Sequence, residues 1–262
     1  MTLSVRPGTD GSAGSAVVVV GASAARPRWH AALVTRKPQI RKPIPVKPQR
    51  AQVPPLTPAQ QVVVDASRQL PQLTDPLEVE ITLSAAAAPS QDDLWAGVIA
   101  NAAAVPSRRS RALLRAVAAL VPGSAAGVEA DKLTGVPEPA WAEAITSLEL
   151  GECWLVDQTE DAAYRTLLCT YGYGDQVHAG VYLIDEQLAG TVKNAFVTRD
   201  VTSAKTMLAD HGAVESITVA EAHRQLGEAY AKLDGGPGLG IDPDAYLVRL
   251  LALRRVELAQ RA

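Results

Sequence analysis

The residues with the most suggestive chemistry lie close together in the second half of the chain. His178 follows a turn-like Gly-Tyr-Gly-Asp sequence, with Tyr171 before that turn and Asp185 seven residues after the histidine. An imidazole near a carboxylate can form an acid–base pair, and neighbouring polar and aromatic side chains can bind a small ligand. Tyr171, His178, Asp185 and Lys193 are therefore candidate ligand-binding residues. A lone histidine in a strand is more often structural, so we assign no catalytic residue and expect no cofactor.

The two cysteines form a second candidate pair. Cys153 and Cys169 lie symmetrically about residue 161, in the middle of a polar, turn-like stretch, so we expect them to face each other across a hairpin. A zinc site would need four ligands of the Cys/His type, and only His178 is expected nearby. A redox pair normally has Cys-x-x-Cys spacing, which is absent. We therefore expect buried, reduced cysteines that pack as small hydrophobic residues, and no metal site.

A third group of candidates is basic. Arg108, Arg111 and Arg115 follow one another at helical spacing, so they could contact phosphate groups together. Arg41 and Lys42 lie in a basic N-terminal stretch and could add to such a surface. These five residues are the candidate nucleic-acid-binding residues, and a solvated helix face is the alternative. The segment Lys37-Pro38-Gln39-Ile40 contains no aromatic residue that could stack on bases, which weakens the nucleic-acid interpretation.

Charge is distributed unevenly along the chain. Residues 1–50 contain nine Lys/Arg and one Asp, a net charge of +8, whereas the other 212 residues contain 16 basic and 27 acidic side chains, a net charge of −11. Prolines recur every two to five residues between 38 and 48, which excludes a helix there. Residues 1–55 are therefore expected to form a disordered, Pro-rich basic tail, which acts either as a binding arm or as a solvated linker.

Two glycine-containing segments lack the residues that nucleotide-binding loops need. Val17–Val20 precedes Gly21, but no Gly-x-Gly-x-x-Gly sequence follows. The loop Gly235–Gly240 has neither a preceding strand nor a Lys-Ser/Thr pair. No nucleotide cofactor is expected from either segment.

The candidates are positioned by two expected parts, of which the first, residues 56–148, is helical. Capping residues before a proline mark helix starts, as at Thr57-Pro58 and at Asp75-Pro76. Apolar residues then recur at helical spacing up to the next proline. This pattern predicts six helices, which begin near Thr57, Thr74, Ser90, Pro106, residue 124 and Pro137, the last of them running to Leu148.

In the second part, residues 149–262, the period of the apolar residues changes from helical to two. Alternation predicts three strands joined by short turns, over residues 152–157, 164–171 and 178–185. Helical spacing then predicts four helices, over Glu186–Val197, Ser203–Asp210, Thr218–Leu233 and Pro243–Gln260. The expected fold class is α+β, with an N-terminal helical subdomain, a three-stranded antiparallel β-meander covered by helices, C-terminal helices and a disordered basic N-terminal tail. The two parts are expected to pack as one unit.

Several short motifs resemble those of a family of uncharacterised actinobacterial proteins. They include Glu152-Cys153-Trp154, Tyr171-Gly172-Tyr173-Gly174-Asp175, Leu183-Ile184-Asp185 and Lys193-Asn194-Ala195-Phe196. The resemblance covers roughly residues 70–258 and is clearest over 137–201. It implies one architectural unit, with His178 and Asp185 matching the family's usual histidine and acid, and it supplies no activity and no catalytic residue.

These observations favour a non-enzymatic protein that binds another protein. One alternative is a small ligand-binding domain or enzyme with a site near His178 and Asp185, and another is a nucleic-acid-associated protein. No apolar run reaches the roughly 20 residues that a membrane span needs, so no membrane partner is expected. Two cysteines are too few for a disulfide framework, which fits a reducing compartment and predicts a cytoplasmic protein.

Overall fold

The computed structural model describes residues 55–88, 94–158, 163–234 and 240–262, all within one compact unit, Arg50–Ala262. The predicted basic tail, including Arg41 and Lys42, lies outside the described residues apart from Pro55. The predicted helix start at Ser90 and most of the Gly235–Gly240 loop also lie outside them. No helix among the described residues is long and apolar enough to cross a membrane.

The first half of the described chain is helical, as predicted. Its helices are α1 (Pro58–Ala66), α2 (Pro76–Ala87), α3 (Leu94–Ala104), α4 (Arg108–Leu120) and α5 (Ala126–Lys132). The predicted caps are present, since the Thr57 hydroxyl accepts from the Gln60 amide and the Asp75 carboxylate accepts from the Leu77 amide. The helices share one apolar core, in which Trp141 is fully buried and its indole nitrogen donates to the Leu70 carbonyl at 2.9 Å.

The predicted sixth helix, Pro137–Leu148, is wrong. The segment forms turns and one short 3-10 turn, Ala144–Thr146. Trp141 and Ile145 are four residues apart and both are buried, which imitated a helical stripe. Pro137 and Pro139 lack the amide hydrogens of a first helical turn.

The second half contains a five-stranded antiparallel sheet rather than the predicted three strands. The strands are β1 (Glu149–Gln158), β2 (Tyr164–Tyr173), β3 (Gln176–Asp185), β4 (Thr191–Thr198) and β5 (Val214–Ile217), in the spatial order β4-β3-β2-β1-β5. The predicted meander of β1, β2 and β3 is confirmed. Strand β5 was not predicted, because its four residues are too short for a pattern of period two to emerge.

Strand β4 replaces most of the helix predicted over Glu186–Val197. A 3-10 turn ends at Ala189 and Gly190, which have φ angles of +60° and +74°, and the strand starts at the next residue. Val192 pairs with β3 at Ile184, whereas Asn194 pairs with the adjacent Leu183, so Lys193 is the extra residue of a β-bulge. The bulge turns Val192 and Ala195, three residues apart, into the same apolar core, and this spacing imitated a helix.

The remaining helices are α6 (Val201–Ala209), α7 (Val219–Asp234), α8 (Pro243–Leu247) and α9 (Arg249–Arg261). The predictions for α6 and α7 are confirmed, whereas the single helix predicted over Pro243–Gln260 is divided at Val248.

The helices cover the two faces of the sheet unequally. One face, which we call the closed face, packs residues such as Leu167, Tyr182 and Ile184 against α7, α8 and α9. The other, which we call the open face, packs Val156, Leu168, Ala179 and Val181 against α6 alone among the described helices, through Ala204 and Leu208.

Candidate functional site

The four predicted ligand-binding residues fall into two separate groups. Tyr171 on β2 and His178 on β3 are direct partners in the sheet and share the closed face. Asp185 lies seven residues further along β3, about 23 Å away along a strand, and an odd separation directs its side chain to the opposite face. Lys193 bonds to Asp185. The structure therefore brings together two pairs and does not form one site from all four residues.

His178 is buried and its ring is held on several sides. Arg255 Nη2 lies 3.0 Å from His178 Nε2, so the guanidinium donates and the imidazole accepts. The rings of Tyr173 and His178 stack with centroids 5.9 Å apart. Burial, followed by the charge of Arg255, lowers the pKa of His178 to about 4. A neutral imidazole whose Nε2 lone pair accepts from Arg255 is not free to act there as a general base.

The sequence interpretation missed the charged residues that hold this histidine. Glu80 of α2 and Arg254 and Arg255 of α9 are all buried. Arg255 Nη2 donates to Glu80 Oε2 at 2.8 Å, and Arg254 forms an ion pair with Glu80 Oε1. We call Glu80, Arg254, Arg255, Tyr173 and His178 the buried charge cluster.

Main-chain carbonyls and one hydroxyl complete the hydrogen bonding of the two guanidinium groups. Arg254 donates to the Tyr173 hydroxyl at 2.9 Å and to the Ile145 carbonyl, while Arg255 donates to the Leu251 carbonyl at 3.0 Å. Burial alone would raise the pKa of Glu80, but the charges of Arg255 and Arg254 outweigh it and hold this pKa below its usual value. The buried charge cluster therefore joins α2, the sheet and α9 through internal bonds.

Tyr171 connects His178 to a second buried histidine. His223 Nδ1 donates to the Val219 carbonyl at 2.7 Å, which leaves Nε2 to accept from the Tyr171 hydroxyl at 3.3 Å. Burial raises the pKa of Tyr171 well above its usual value and lowers the pKa of His223. Both groups are therefore neutral near pH 7, and they tie α7 to the closed face.

Asp185 and Lys193 form the other pair, at the far end of the sheet. Asp185 is buried and accepts from the Gln187 amide at 2.9 Å, so it caps the 3-10 turn that precedes β4. Lys193 Nζ lies 2.9 Å from Asp185 Oδ2 and 3.0 Å from the Tyr164 hydroxyl, and these hydrogen bonds raise the pKa of Lys193. The bulge of β4 directs Lys193 to these partners, so the pair fixes the turn between β3 and β4.

The predicted basic face is largely occupied by acidic side chains. Arg111 bonds to Glu138 and to the Leu133 and Val136 carbonyls, and Arg115 bonds to Glu138 and Asp131. The hydrogen bonds from Arg115 and Arg111 lower the pKa of Glu138 to about 2. Arg108 is exposed at the start of α4. The structure thus positions Arg111 and Arg115 to hold the turns after α5 and does not combine all three arginines in one open surface.

One small pocket lies beside the N-terminal end of α4, bordered by α1 and α3. Its volume is about 160 Å³, and its polar lining includes Asn101, Ser67 and Arg109. Arg109 Nε donates to Ser67 Oγ at 2.9 Å, so this cation is already bonded within the chain. The volume is below the several hundred Å³ typical of small-molecule sites.

The open face of the sheet has a different character. A row of side chains crosses four strands on this face, formed by Phe196, Val181, Leu168 and Trp154. Leu168 and Val181 are buried beneath α6, whereas Trp154 is half-buried and Phe196 is 37% exposed. Phe196 is the only phenylalanine of the chain.

Three other exposed apolar residues lie on this face of the sheet or on the helix that covers it. Val177 and Val214 point from the sheet to the same face, and Met207 lies on α6, all three at least one-third exposed. Lys205 lies over the Trp154 ring at 3.5 Å from its centroid. We call the surface formed by Trp154, Val177, Phe196, Met207 and Val214 the open-face patch.

The chain matches no protein-family model, no curated protein and no solved structure. The resemblance to uncharacterised actinobacterial proteins therefore stays a prediction.

Proposed function

We propose that this protein acts by binding another protein through the open-face patch, with no chemical step of its own. The observation that carries the proposal is the partial exposure of Phe196 beside a single covering helix, in a chain whose aromatic content is only 4%. Exposed apolar residues that share one face of a folded domain can mark a surface for a partner, whereas isolated ones need no explanation.

The chemistry of the patch defines the kind of partner. Aromatic residues and methionine are enriched in protein interfaces because they bury much area with little loss of conformational freedom. Glu152, at the rim, has a largely exposed carboxylate that forms an ion pair with Lys205 at 3.5 Å. Residues 51–262 carry a net charge of −11. The proposed partner therefore presents an apolar surface with a basic rim, which would favour association electrostatically.

The contacts of His178 support this proposal over an enzyme or a small-ligand site. The named polar groups around His178 bond to one another, and Asp185 is separated from them by most of a strand. The basic tail is an auxiliary arm in this proposal. The docking surface would lie on the folded body and not on the tail.

The test is comparative affinity capture with the full-length chain. Wild type, Phe196→Asp and Val128→Asp are each immobilised, and proteins retained from lysate of the source cell are quantified by mass spectrometry. Val128 is a matched control, because it is also exposed but lies on α5, away from the sheet. A protein retained by wild type and by Val128→Asp but lost with Phe196→Asp would support the proposal. That protein should also bind less tightly as the salt concentration rises.

Equal retention of the same proteins by all three chains would contradict the proposal, since binding would then not depend on Phe196. Retention of nucleic acid that disappears when residues 1–50 are removed would instead favour the nucleic-acid function. Far-UV circular dichroism of the three chains separates loss of binding from loss of folding.

A further inference from the structure

The two buried cysteines lie opposite each other in neighbouring strands, at a spacing that a disulfide can bridge. Cys153 on β1 and Cys169 on β2 are direct partners in the antiparallel register, and both are buried and reduced. Opposed residues in antiparallel strands have Cα atoms about 4.5–5.5 Å apart. That distance falls within the range of about 4.4–6.8 Å that a disulfide spans.

The side chains point to the same place. Both thiols belong to one apolar cluster with Tyr171 and Ala222 on the closed face. The neighbouring Cys153 thiol and burial together raise the pKa of the Cys169 thiol well above its usual value. The Cys169 thiol is therefore held protonated in the folded protein and is slow to react.

The strands next to the two cysteines differ in how firmly they are held in the sheet. Cys153 lies on β1, and its other neighbour is Ile217 of β5. Strand β5 has four residues, is mostly exposed and forms one edge of the sheet. A bulge at Gly151 and Glu152 interrupts the β1–β2 pairing immediately before Cys153. Cys169 lies on β2, which is paired on both sides by ten-residue strands. Local opening at β5 would therefore expose Cys153 before Cys169.

We propose that Cys153 and Cys169 are a cross-strand dithiol that low-molecular-weight disulfides, such as glutathione disulfide, convert to an intramolecular disulfide when β5 opens. Cys153 is the attacking thiol and Cys169 is the resolving thiol. The product would covalently join β1 to β2 directly beside Trp154 of the open-face patch.

The reaction consists of two thiol–disulfide exchanges. The Cys153 thiolate attacks one sulfur of the oxidant, the oxidant's S–S bond breaks, and one small thiolate leaves and takes the proton that Cys153 lost. The Cys169 thiolate then attacks the sulfur of Cys153, and the second small thiolate leaves with the proton from Cys169. Two protein thiols are oxidised to one disulfide, and one molecule of glutathione disulfide is reduced to two of glutathione.

The experiment is intact-mass analysis of the full-length chain after incubation with glutathione disulfide, acid quenching and alkylation. The chain has two cysteines, so the result has one interpretation. The expected product has lost two hydrogen atoms, takes up no alkylating reagent and is restored by dithiothreitol. Cys169→Ala should accumulate one glutathione adduct on Cys153, whereas Cys153→Ala should form an adduct on Cys169 at least about tenfold more slowly.

A second pair of variants tests the role of β5. Ile217 packs against the cluster around Cys153, whereas Val214, in the same strand, is exposed. Ile217→Ala should therefore speed disulfide formation several-fold, and Val214→Ala should leave the rate nearly unchanged.

Three results would overturn the proposal. The first is a wild-type product that stops at glutathione adducts without losing two hydrogen atoms. The second is equal reactivity of the two single-cysteine variants. The third is survival of both thiols after the amides of β1 and β5 have exchanged with solvent deuterium, since that exchange reports the opening that the reaction needs.

Discussion

The two faces of the sheet differ in how completely helices cover them. The closed face is covered by α7, α8 and α9, and every large side chain named there is buried or half-buried. The open face is covered by the nine residues of α6, and Phe196 and Val214 remain exposed. Because antiparallel strands direct alternate residues to opposite faces, stability and exposure can be adjusted separately in each strand.

The difference extends to charge. On the closed face, the ions of the buried charge cluster are neutralised by one another and by main-chain carbonyls. On the open face, Lys205 and Glu152 remain in contact with water, and their interaction is correspondingly weak. We therefore expect substitutions on the closed face to change the free energy of unfolding, and substitutions on the open face to change binding.

The largest loss of stability is expected from Glu80→Gln. This substitution leaves two buried guanidinium groups without their carboxylate, so the free energy of unfolding should fall by about 3–5 kcal/mol. Urea unfolding followed by circular dichroism measures it. The control is Glu78→Gln, on the same helix but exposed, which should cost less than about 1 kcal/mol. Similar costs for both variants would show that the buried charge cluster contributes little to stability.

The next largest changes in the free energy of unfolding are expected at two fully buried leucines, Leu226 of α7 and Leu208 of α6. Leu226→Ala should cost about 2–5 kcal/mol, because α7 is fixed by α9 and by the sheet and cannot move to fill the cavity. Leu208→Ala should lie at the lower end of that range, because α6 packs on the sheet from one side, mainly on β2 and β3, and can shift.

Amide hydrogen exchange provides a second measurement on the same two leucine variants. Leu208→Ala should accelerate amide exchange within α6 alone, whereas Leu226→Ala should accelerate it across the sheet. Equal costs together with the same exchange pattern would remove the distinction between the two faces.

A pH dependence follows from His178. Its pKa in the folded protein, about 4, lies below the ordinary histidine value of 6.5, so the unfolded chain binds the proton more readily. Stability from this group is complete above pH 6.5 and is lost as the pH falls towards 4, by on the order of 3 kcal/mol. Urea unfolding at several pH values should show this slope in wild type and a smaller slope in His178→Asn. His211→Asn, at an exposed position, should retain the wild-type slope.

The smallest effect on stability is expected from Phe196→Ser. The side chain lies on the edge strand β4 and is already 37% exposed, so its removal should cost about 1 kcal/mol or less. Thermal unfolding measures this change. A cost as large as that of Leu226→Ala would place Phe196 in the core and contradict its assignment to the open-face patch.

Features carried by local residues could be predicted from the sequence. Thr57 and Asp75 cap helices whose starts they predicted, and the symmetric positions of Cys153 and Cys169 predicted their pairing across the hairpin. In β4, one extra residue at Lys193 changed the spacing of the apolar side chains from two to three and made a strand resemble a helix.

The site residues were harder to predict, because their partners are remote in the chain. Glu80 and Arg254 are 174 residues apart, and no local pattern connects them. The signal that was present is the carboxylate of Glu80 inside the apolar helix α2 and an Arg-Arg pair between the apolar residues Leu253 and Val256 of α9. A lone charge on the buried side of a helix requires a buried partner, so these positions could have been flagged although their pairing could not.

Site-specific photocross-linking tests the central claim most directly. A benzophenone amino acid is placed at position 196 on the open face or at position 128 on α5, in otherwise wild-type full-length chains, and irradiated in lysate of the source cell. We expect one dominant protein adduct from position 196 that is absent from position 128 and that is suppressed by excess wild-type chain. No adduct from position 196, or the same adducts from both positions, would contradict the claim that the open face is a binding surface.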